Sequence, residues 1–358
     1  MPDNPFSIAF KALQNAADYA VGPTGEAYRG FFAPGAYRDP EDIREELAAM
    51  HRQHPKVVTL ESLETRTLEG RAIPLIRLRH PSLPTGAPRV LLAAQLHARE
   101  FIGGETAMEA LWDMLQGRDE RAAALLRRAE VDVLPLINPD GVWRNVRRIR
   151  QRGWRFGPLH RGNARSVDLN RNFGAGYSNR QRTYRWRLSD EFAGAGPFSE
   201  PESQALRALV QARRYQAVIN LHSYSSVFLY PGYGDNGVDP VVAEIARTLP
   251  ALQPHEPYEV VHGARFFART ALATAVLTAV RGTRWVHGTF DDWLFNEGIH
   301  TLLIEISKPG PLPEHAAEMV LSHLRLFNPP PAERLKAVQN VLPAIFAFYL
   351  GVLDQKRL

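Results

Sequence analysis

His97-Ala98-Arg99-Glu100 sets an imidazole and a carboxylate three positions apart. Such a pair can face one divalent ion from a single turn of chain. It follows the apolar run Arg89–Leu96, which reads as a buried strand, and open α/β sheets place their sites at the carboxyl ends of strands. A second pair of the same spacing, His315 and Glu318, falls in an amphipathic helical pattern and reads as a solvated helix face. A third ligand is on offer at His222, which closes the apolar run Ala217–Leu221. Taken alone, His222 reads equally well as a core histidine. With His97 and Glu100 it gives two neutral imidazoles and one carboxylate, which leave Zn2+ a net positive charge and an open position. That is a catalytic composition, whereas closed structural sites use four protein ligands. The 358 residues contain no cysteine, so thiolate metal sites, disulfides and a cysteine nucleophile are excluded.

A further group stands out. Glu305 ends the apolar run Leu302-Leu303-Ile304, where an isolated charge is costly unless it is used, paired or turned to water. Read from the residues alone, it is either a group with a use or a carboxylate facing solvent at the strand mouth.

The elements that must position these groups follow from periodicity. Asp39-Pro40-Glu41-Asp42 opens a helix to about residue 53, with acids in its first turn. Val57–Thr65 and Ile73–Arg79 read as strands, as do Arg89–Leu96, Val131–Ile137, Ala217–Leu221 and Thr301–Ile306. Helices are expected over 104–115, 200–213 (with Ser199 as cap), 240–249, 264–280, 291–297, 313–327 and 331–353. Asn138-Pro139-Asp140-Gly141 reads as a turn, and 142–198, rich in Arg, Gly and aromatics, reads as a long loop, either functional or poorly ordered. Apolar strands alternating with helices predict an α/β fold: a single domain with a mixed, mostly parallel β-sheet covered by helices on both faces. No compositional boundary appears. The expected layout is a lead segment 1–38, a catalytic domain 39–330, and a C-terminal helix 331–358 packed on it.

In chain order, His97–Glu100, Asn138–Gly141, Arg152-Gly153-Trp154, Val167-Asp168-Leu169-Asn170-Arg171-Asn172-Phe173, His222-Ser223-Tyr224, Gly288–Trp293 and Ile304-Glu305-Ile306 resemble the zinc carboxypeptidases of the carboxypeptidase A type over about residues 39–325. The resemblance implies one zinc per chain, held by His97, Glu100 and His222, with Asp168 orienting His97. It implies Glu305 as general base and Arg152 as the residue stabilising the oxyanion. Asn170 and Arg171 resemble the pair that grips a peptide's terminal carboxylate, which a planar guanidinium suits. Arg99, Ser223 and Tyr224 resemble further subsite residues. Asp291 falls near the position of the side-chain pocket floor, and equally at a helix N-cap. One departure concerns substrate choice: a mobile Tyr of the family is absent, and Arg284 stands at the nearest register. The implied partner is a peptide with a free C-terminal carboxylate. Within metallohydrolases the alternatives are an amidohydrolase of N-acyl amino acids and a carboxypeptidase of cell-wall peptides.

Other classes are disfavoured. Trp143–Arg155 holds six Arg and two Trp, a mix that suits nucleic acid or another polyanion, but the formal charge is only +5 and no binding fold is evident. Gly232–Gly237 fits a dinucleotide fingerprint without the ribose-binding acid after it, and reads as a loop. The longest apolar run, Val341–Leu353, is too short to span a bilayer, and no secretory signal is read at the start. The expectation is a protein of the cytoplasm without nucleic-acid or membrane partners.

Overall fold

The computed structural model describes residues 30–152, 159–174, 185–231, 237–263, 286–308 and 323–355. Within these, eight strands form one sheet: β1 (Val58–Ser62), β2 (Pro74–Leu78), β3 (Arg89–Ala94), β4 (Glu130–Leu134), β5 (Ala217–His222), β6 (Val227–Tyr230), β7 (Glu259–His262) and β8 (His300–Glu305). Their order is β1-β2-β4-β3-β5-β8-β6-β7. The central strands β4, β3, β5 and β8 run parallel, while β1–β2, β2–β4 and β6–β8 pair antiparallel. The mixed sheet expected from the sequence is present.

The central strands read as unbroken apolar runs because both their faces are covered. Along β3, Val90, Leu92 and Ala94 belong to one core cluster and Leu91 and Ala93 to another. The first face is covered by helices α1 (Pro40–Gln53), α2 (Phe101–Gln116), α3 (Glu120–Leu126), α4 (Pro139–Arg152), α6 (Pro240–Thr248) and α9 (Arg334–Gln355). The second is covered by α5 (Pro201–Arg213) and α7 (Phe290–Asn296). A short helix α8 (His323–Phe327) precedes α9. Helix α9 is long and apolar enough to cross a membrane, yet it lies against the core, and the Tyr349 hydroxyl donates to the Leu91 carbonyl at 2.6 Å.

Local chemistry explains the boundaries. Asp39 caps α1 and forms a reciprocal capping box with Asp42. Glu105 on α2 accepts from the Arg38 backbone N–H and guanidinium, both at 2.6 Å, and from Arg334 on α9. The segment ahead of α1 and the last helix thus meet on one buried carboxylate.

Three sequence expectations are corrected. Helix α4 begins inside Asn138-Pro139-Asp140-Gly141, which is a helix start and not only a turn. The Asn138 side chain accepts from the Gly141 N–H at 3.0 Å, and Pro tolerates the first helical turn. Val142, Val146 and Ile149 then bury one stripe, which splits the stretch read as loop. Ser199 is not the cap of α5; Glu200 holds that position, and the Ser199 hydroxyl donates to its carboxylate at 2.9 Å. Strands β6 and β7, four residues each, were too short for a period to show. The expected helix 264–280, the pair His315 and Glu318, the Gly232 loop and Arg284 lie outside the described residues.

Candidate metal centre and substrate cavity

Three neighbouring parallel strands deliver the chemistry at their carboxyl ends. His97 lies three residues past β3, His222 is the last residue of β5, and Glu305 is the last residue of β8, in direct register with His222. Glu100 stands at the N-cap of α2, but its side chain makes no cap hydrogen bond and turns to the histidines instead. His97 Nδ1 lies 2.8 Å from Glu100 Oε1, His222 Nδ1 lies 2.9 Å from Glu100 Oε2, and the two Nδ1 atoms are 2.9 Å apart. The Ser223 N–H donates to Glu100 Oε2 at 3.2 Å.

This arrangement fits a cation. The ring nitrogens of two fully buried imidazoles converge with a buried carboxylate, and donor atoms of all three residues lie within 4.8 Å of one another. Two imidazole lone pairs aimed at a common point repel unless a proton or a metal ion lies between them, and an N2O donor set suits zinc. The charge balance of the protein groups alone bears on His97 and Glu100, whereas at His222 burial is outweighed by the Glu100 carboxylate, which raises its pKa and lets a proton stand where an ion would. Burial, then the nearby Arg161 guanidinium, pushes the His97 pKa down and favours the neutral imidazole that a metal needs. Burial opposes ionisation of Glu100, but the adjacent imidazoles outweigh it and hold the carboxyl below its usual range.

Around the ligands stands a supporting layer. His97 Nε2 lies 3.2 Å from Asp168 Oδ1, which also accepts from the Asn170 N–H at 2.9 Å, and Arg161 Nε donates to Asp168 Oδ2 at 2.8 Å. Asp168 therefore sits where the resemblance implied, on the second nitrogen of a ligand. Burial disfavours its charge, but Arg161, Arg171 and His97 keep its pKa well below the ordinary value.

A cavity of about 430 Å³ opens over the ligands. Arg99, Asn170, Arg171, Ser223, Tyr224 and Glu305, all singled out in the sequence, line it together with the three ligands. Arg171 is fixed by donation to the Asn170 carbonyl at 2.7 Å, and the Asn170 side chain accepts from the Phe290 N–H at 2.8 Å. Gly288, at φ +72°, lies so close that an added Cβ would meet the Arg171 carbonyl at 2.5 Å, so the backbone behind that arginine admits only glycine. Arg99 stacks over the Phe327 ring at 4.2 Å.

Asp291 is not among the lining residues. It is buried, held by Asn220 Nδ2 at 2.9 Å, and the cap of α7 is Thr289. Arg152 closes α4, and its side chain lies outside the described residues. The arginine that the described cavity places beside the ligands is Arg161, 3.9 Å from Glu100 Oε1, which sequence reasoning missed. So were Asp190, Glu191 and Phe327. In an arginine-crowded stretch no period marks Arg161; its place is set by the Ala98 N–H donating to its carbonyl at 2.9 Å.

The loop that carries Arg161 and Asp168 is anchored by Asn163. Its side-chain Oδ1 accepts from the Arg165 and Val167 N–H groups, and its Nδ2 donates to Glu200 Oε2 at 2.8 Å and to Glu202 Oε2 at 3.0 Å. Glu202 is buried. Burial, with Asp140 and Glu200 adding to it, pushes its pKa up to about 7 against the Asn163 hydrogen bond. A carboxyl raised in the folded state keeps a proton that the unfolded chain has released, so its stabilising contribution declines as pH rises through roughly 4.5 to 7. Glu202→Gln should therefore stabilise the metal-free protein at pH 8, by up to about 3 kcal/mol. The gain should shrink towards pH 5, as read from denaturant unfolding at the two pH values.

Comparison with known proteins decides the family. A profile of the zinc carboxypeptidase family matches residues 43–339. The chain belongs to the zinc carboxypeptidase family. Zinc carboxypeptidase A 1 of Anopheles gambiae is 31% identical over 249 residues, covering 65% of this chain and 53% of that protein. Carboxypeptidase A2 of Mus musculus is 28% identical over 240 residues, covering 61% and 54%. An inactive metallocarboxypeptidase of Saccharomyces cerevisiae is 27% identical over 206 residues, covering 54% and 46%. The chain thus spans about half the length of the curated relatives it matches. Among solved structures, bovine thrombin-activatable fibrinolysis inhibitor aligns over 90% of this chain and 99% of its own, with TM-score 0.69 and 18% identity. Carboxypeptidase A of Helicoverpa armigera aligns over 96% and 80%, with TM-score 0.64 and 20% identity. These likenesses show a carboxypeptidase A-like fold. As a member of a zinc carboxypeptidase family, the chain has in His97, Glu100 and His222 the residues for one zinc ion.

Proposed function

We propose that this protein is a zinc-dependent carboxypeptidase that releases the C-terminal residue of peptides. The carrying observation is that one cavity joins the ligand triad, the half-buried carboxylate Glu305 and the Asn170–Arg171 pair. Membership alone does not settle activity, since one relative is named inactive. What supports activity here is that the triad and the base stand together at adjoining strand ends.

When bound, zinc supplies Lewis-acid polarisation of the scissile carbonyl and acidifies water at its open position. Arg171 and Asn170 grip the terminal carboxylate and so place the last peptide bond over the ligands. Glu305 takes a proton from the attacking water. The water oxygen bonds to the carbonyl carbon, the carbon–nitrogen bond breaks, and Glu305 returns the proton to the departing amine. Arg161 faces the negative charge that develops on the carbonyl oxygen, the part that the resemblance implied for Arg152.

The test is a set of blocked dipeptides offered as free acids and as amides, with and without a chelator. The expected result is release of single residues from the free acids, abolished by chelator and restored by zinc, with amides at least about 100-fold slower for want of the Arg171 contact. Cleavage only inside longer peptides overturns the reading. Preference for N-acetyl amino acids over dipeptides transfers it to an amidohydrolase.

A further inference from the structure

Three arginines line the cavity, whereas a peptide brings one terminal carboxylate. Each guanidinium meets an acid of the fold. Arg161 donates to Asp168, Arg99 Nη1 donates to Asp190 Oδ2 at 2.9 Å, and Arg171 Nη2 donates to Glu191 Oε1 at 3.3 Å. Asp168 is sealed behind the ligands. Asp190 and Glu191 differ: they are consecutive, both line the cavity, and their side chains remain 59% and 14% exposed. Their segment is fastened to the metal-site support, since the Asp168 N–H donates to the Phe192 carbonyl at 2.8 Å, and it is turned locally by the Glu191 N–H donating to the Ser189 hydroxyl at 3.1 Å. Elsewhere the described wall mixes Leu229, Val286 and Leu303 with the uncharged polar residues Ser223, Ser225 and Thr289, and brings no further cation.

We propose that Asp190 and Glu191 are specificity residues that reject a second carboxylate, so that peptides ending in Asp or Glu are excluded and those ending in an uncharged or basic residue are accepted. This deepens the carboxypeptidase reading and rests on it. An arginine-lined cavity without those two acids would draw in dicarboxylates, because each planar guanidinium offers a paired set of donors. With the acids in place, Arg99 is occupied and Arg171 is shared. An acidic side chain would then meet the like charge of Asp190 and Glu191 without a guanidinium of its own to neutralise it. Discrimination of this kind comes from a repulsive element added to an attractive site. The same acids offer a counter-charge to a basic side chain.

The experiment compares blocked dipeptides that differ only in the last residue, leucine, arginine or glutamate, on the zinc-loaded wild-type protein, Asp190→Asn, Glu191→Gln and the double variant. The wild type should favour the leucine peptide over the glutamate peptide by at least 100-fold in kcat/KM. The double variant should narrow that ratio at least tenfold, chiefly through a lower KM for the glutamate peptide, and should lose part of its rate on the arginine peptide. A ratio that moves less than twofold overturns the proposal. So does a wild type that prefers the glutamate peptide, which would direct attention to Arg284. A second arm needs no turnover. Calorimetric binding of free leucine, arginine and glutamate to the zinc-loaded proteins should show glutamate as the weakest in the wild type and recovered in the double variant; equal binding overturns the proposal. Failure to hydrolyse any peptide would count against the carboxypeptidase reading, while the binding arm still decides the charge gate.

Discussion

Glu305→Gln should keep about one zinc per chain and lose roughly 10³- to 10⁴-fold in kcat, at the upper end of what a positioned base contributes. Glu305 is half-buried at the end of β8 beside His222, and its Oε2 is covered and has no hydrogen-bond partner among the described residues. Burial, with the Glu100 charge adding to it, pushes its pKa up to about 8 against the pull of His222 and Arg161. In the metal-free site the group therefore takes up a proton readily, and a zinc ion nearby would favour its charged form. Glutamine keeps the shape and the hydrogen-bonding oxygen but cannot carry a proton between water and amine. Metal analysis and steady-state rates on the same preparation separate the two properties. A variant that retains more than a tenth of wild-type turnover removes Glu305 from the role.

The second large effect concerns the metal. Zinc binding to structural protein sites is worth about 10–16 kcal/mol, so one of three protein ligands accounts for roughly 3–5 kcal/mol, or some 10²- to 10⁴-fold in affinity. His97→Ala and His222→Ala should each lose affinity on that scale in competition with a zinc-buffering chelator. Each also leaves Glu100 short of an imidazole partner in a buried position. Asp168→Ala should cost less, about 10- to 100-fold, because it frees the ring of His97 without removing a donor atom. Unchanged affinity in both histidine variants would dismantle the triad.

Much of this was written in the sequence. The strands that carry His97, His222 and Glu305 announce themselves because a strand covered on both faces must be apolar throughout, and a polar residue at its exit then stands out. Asn170 and Arg171 were legible only through the resemblance of the run from Asp168 to Asn172 to a family motif, since neither periodicity nor a strand exit marks them. Helix α4 was obscured because the residues that start it, Asn138 to Gly141, are also turn formers. Arg161 was invisible because its position depends on a loop folding back onto Ala98, a contact 63 positions away that leaves no periodic trace. Phe327 reaches the cavity from a segment whose own helix is five residues long. Asp190 and Glu191 fall inside the stretch read as loop, where no spacing marks the arginines they meet.

One further consequence comes from Glu105. Two guanidinium groups from regions nearly 300 positions apart share this carboxylate, one turn along the helix whose cap is the ligand Glu100. Peeling back either region strands an unneutralised acid in an apolar interior, which is far costlier than exposing the same group to solvent. The helix bearing a zinc ligand is thereby clasped from both directions, and fraying at the periphery and release of the ion become linked equilibria, each resisting the other.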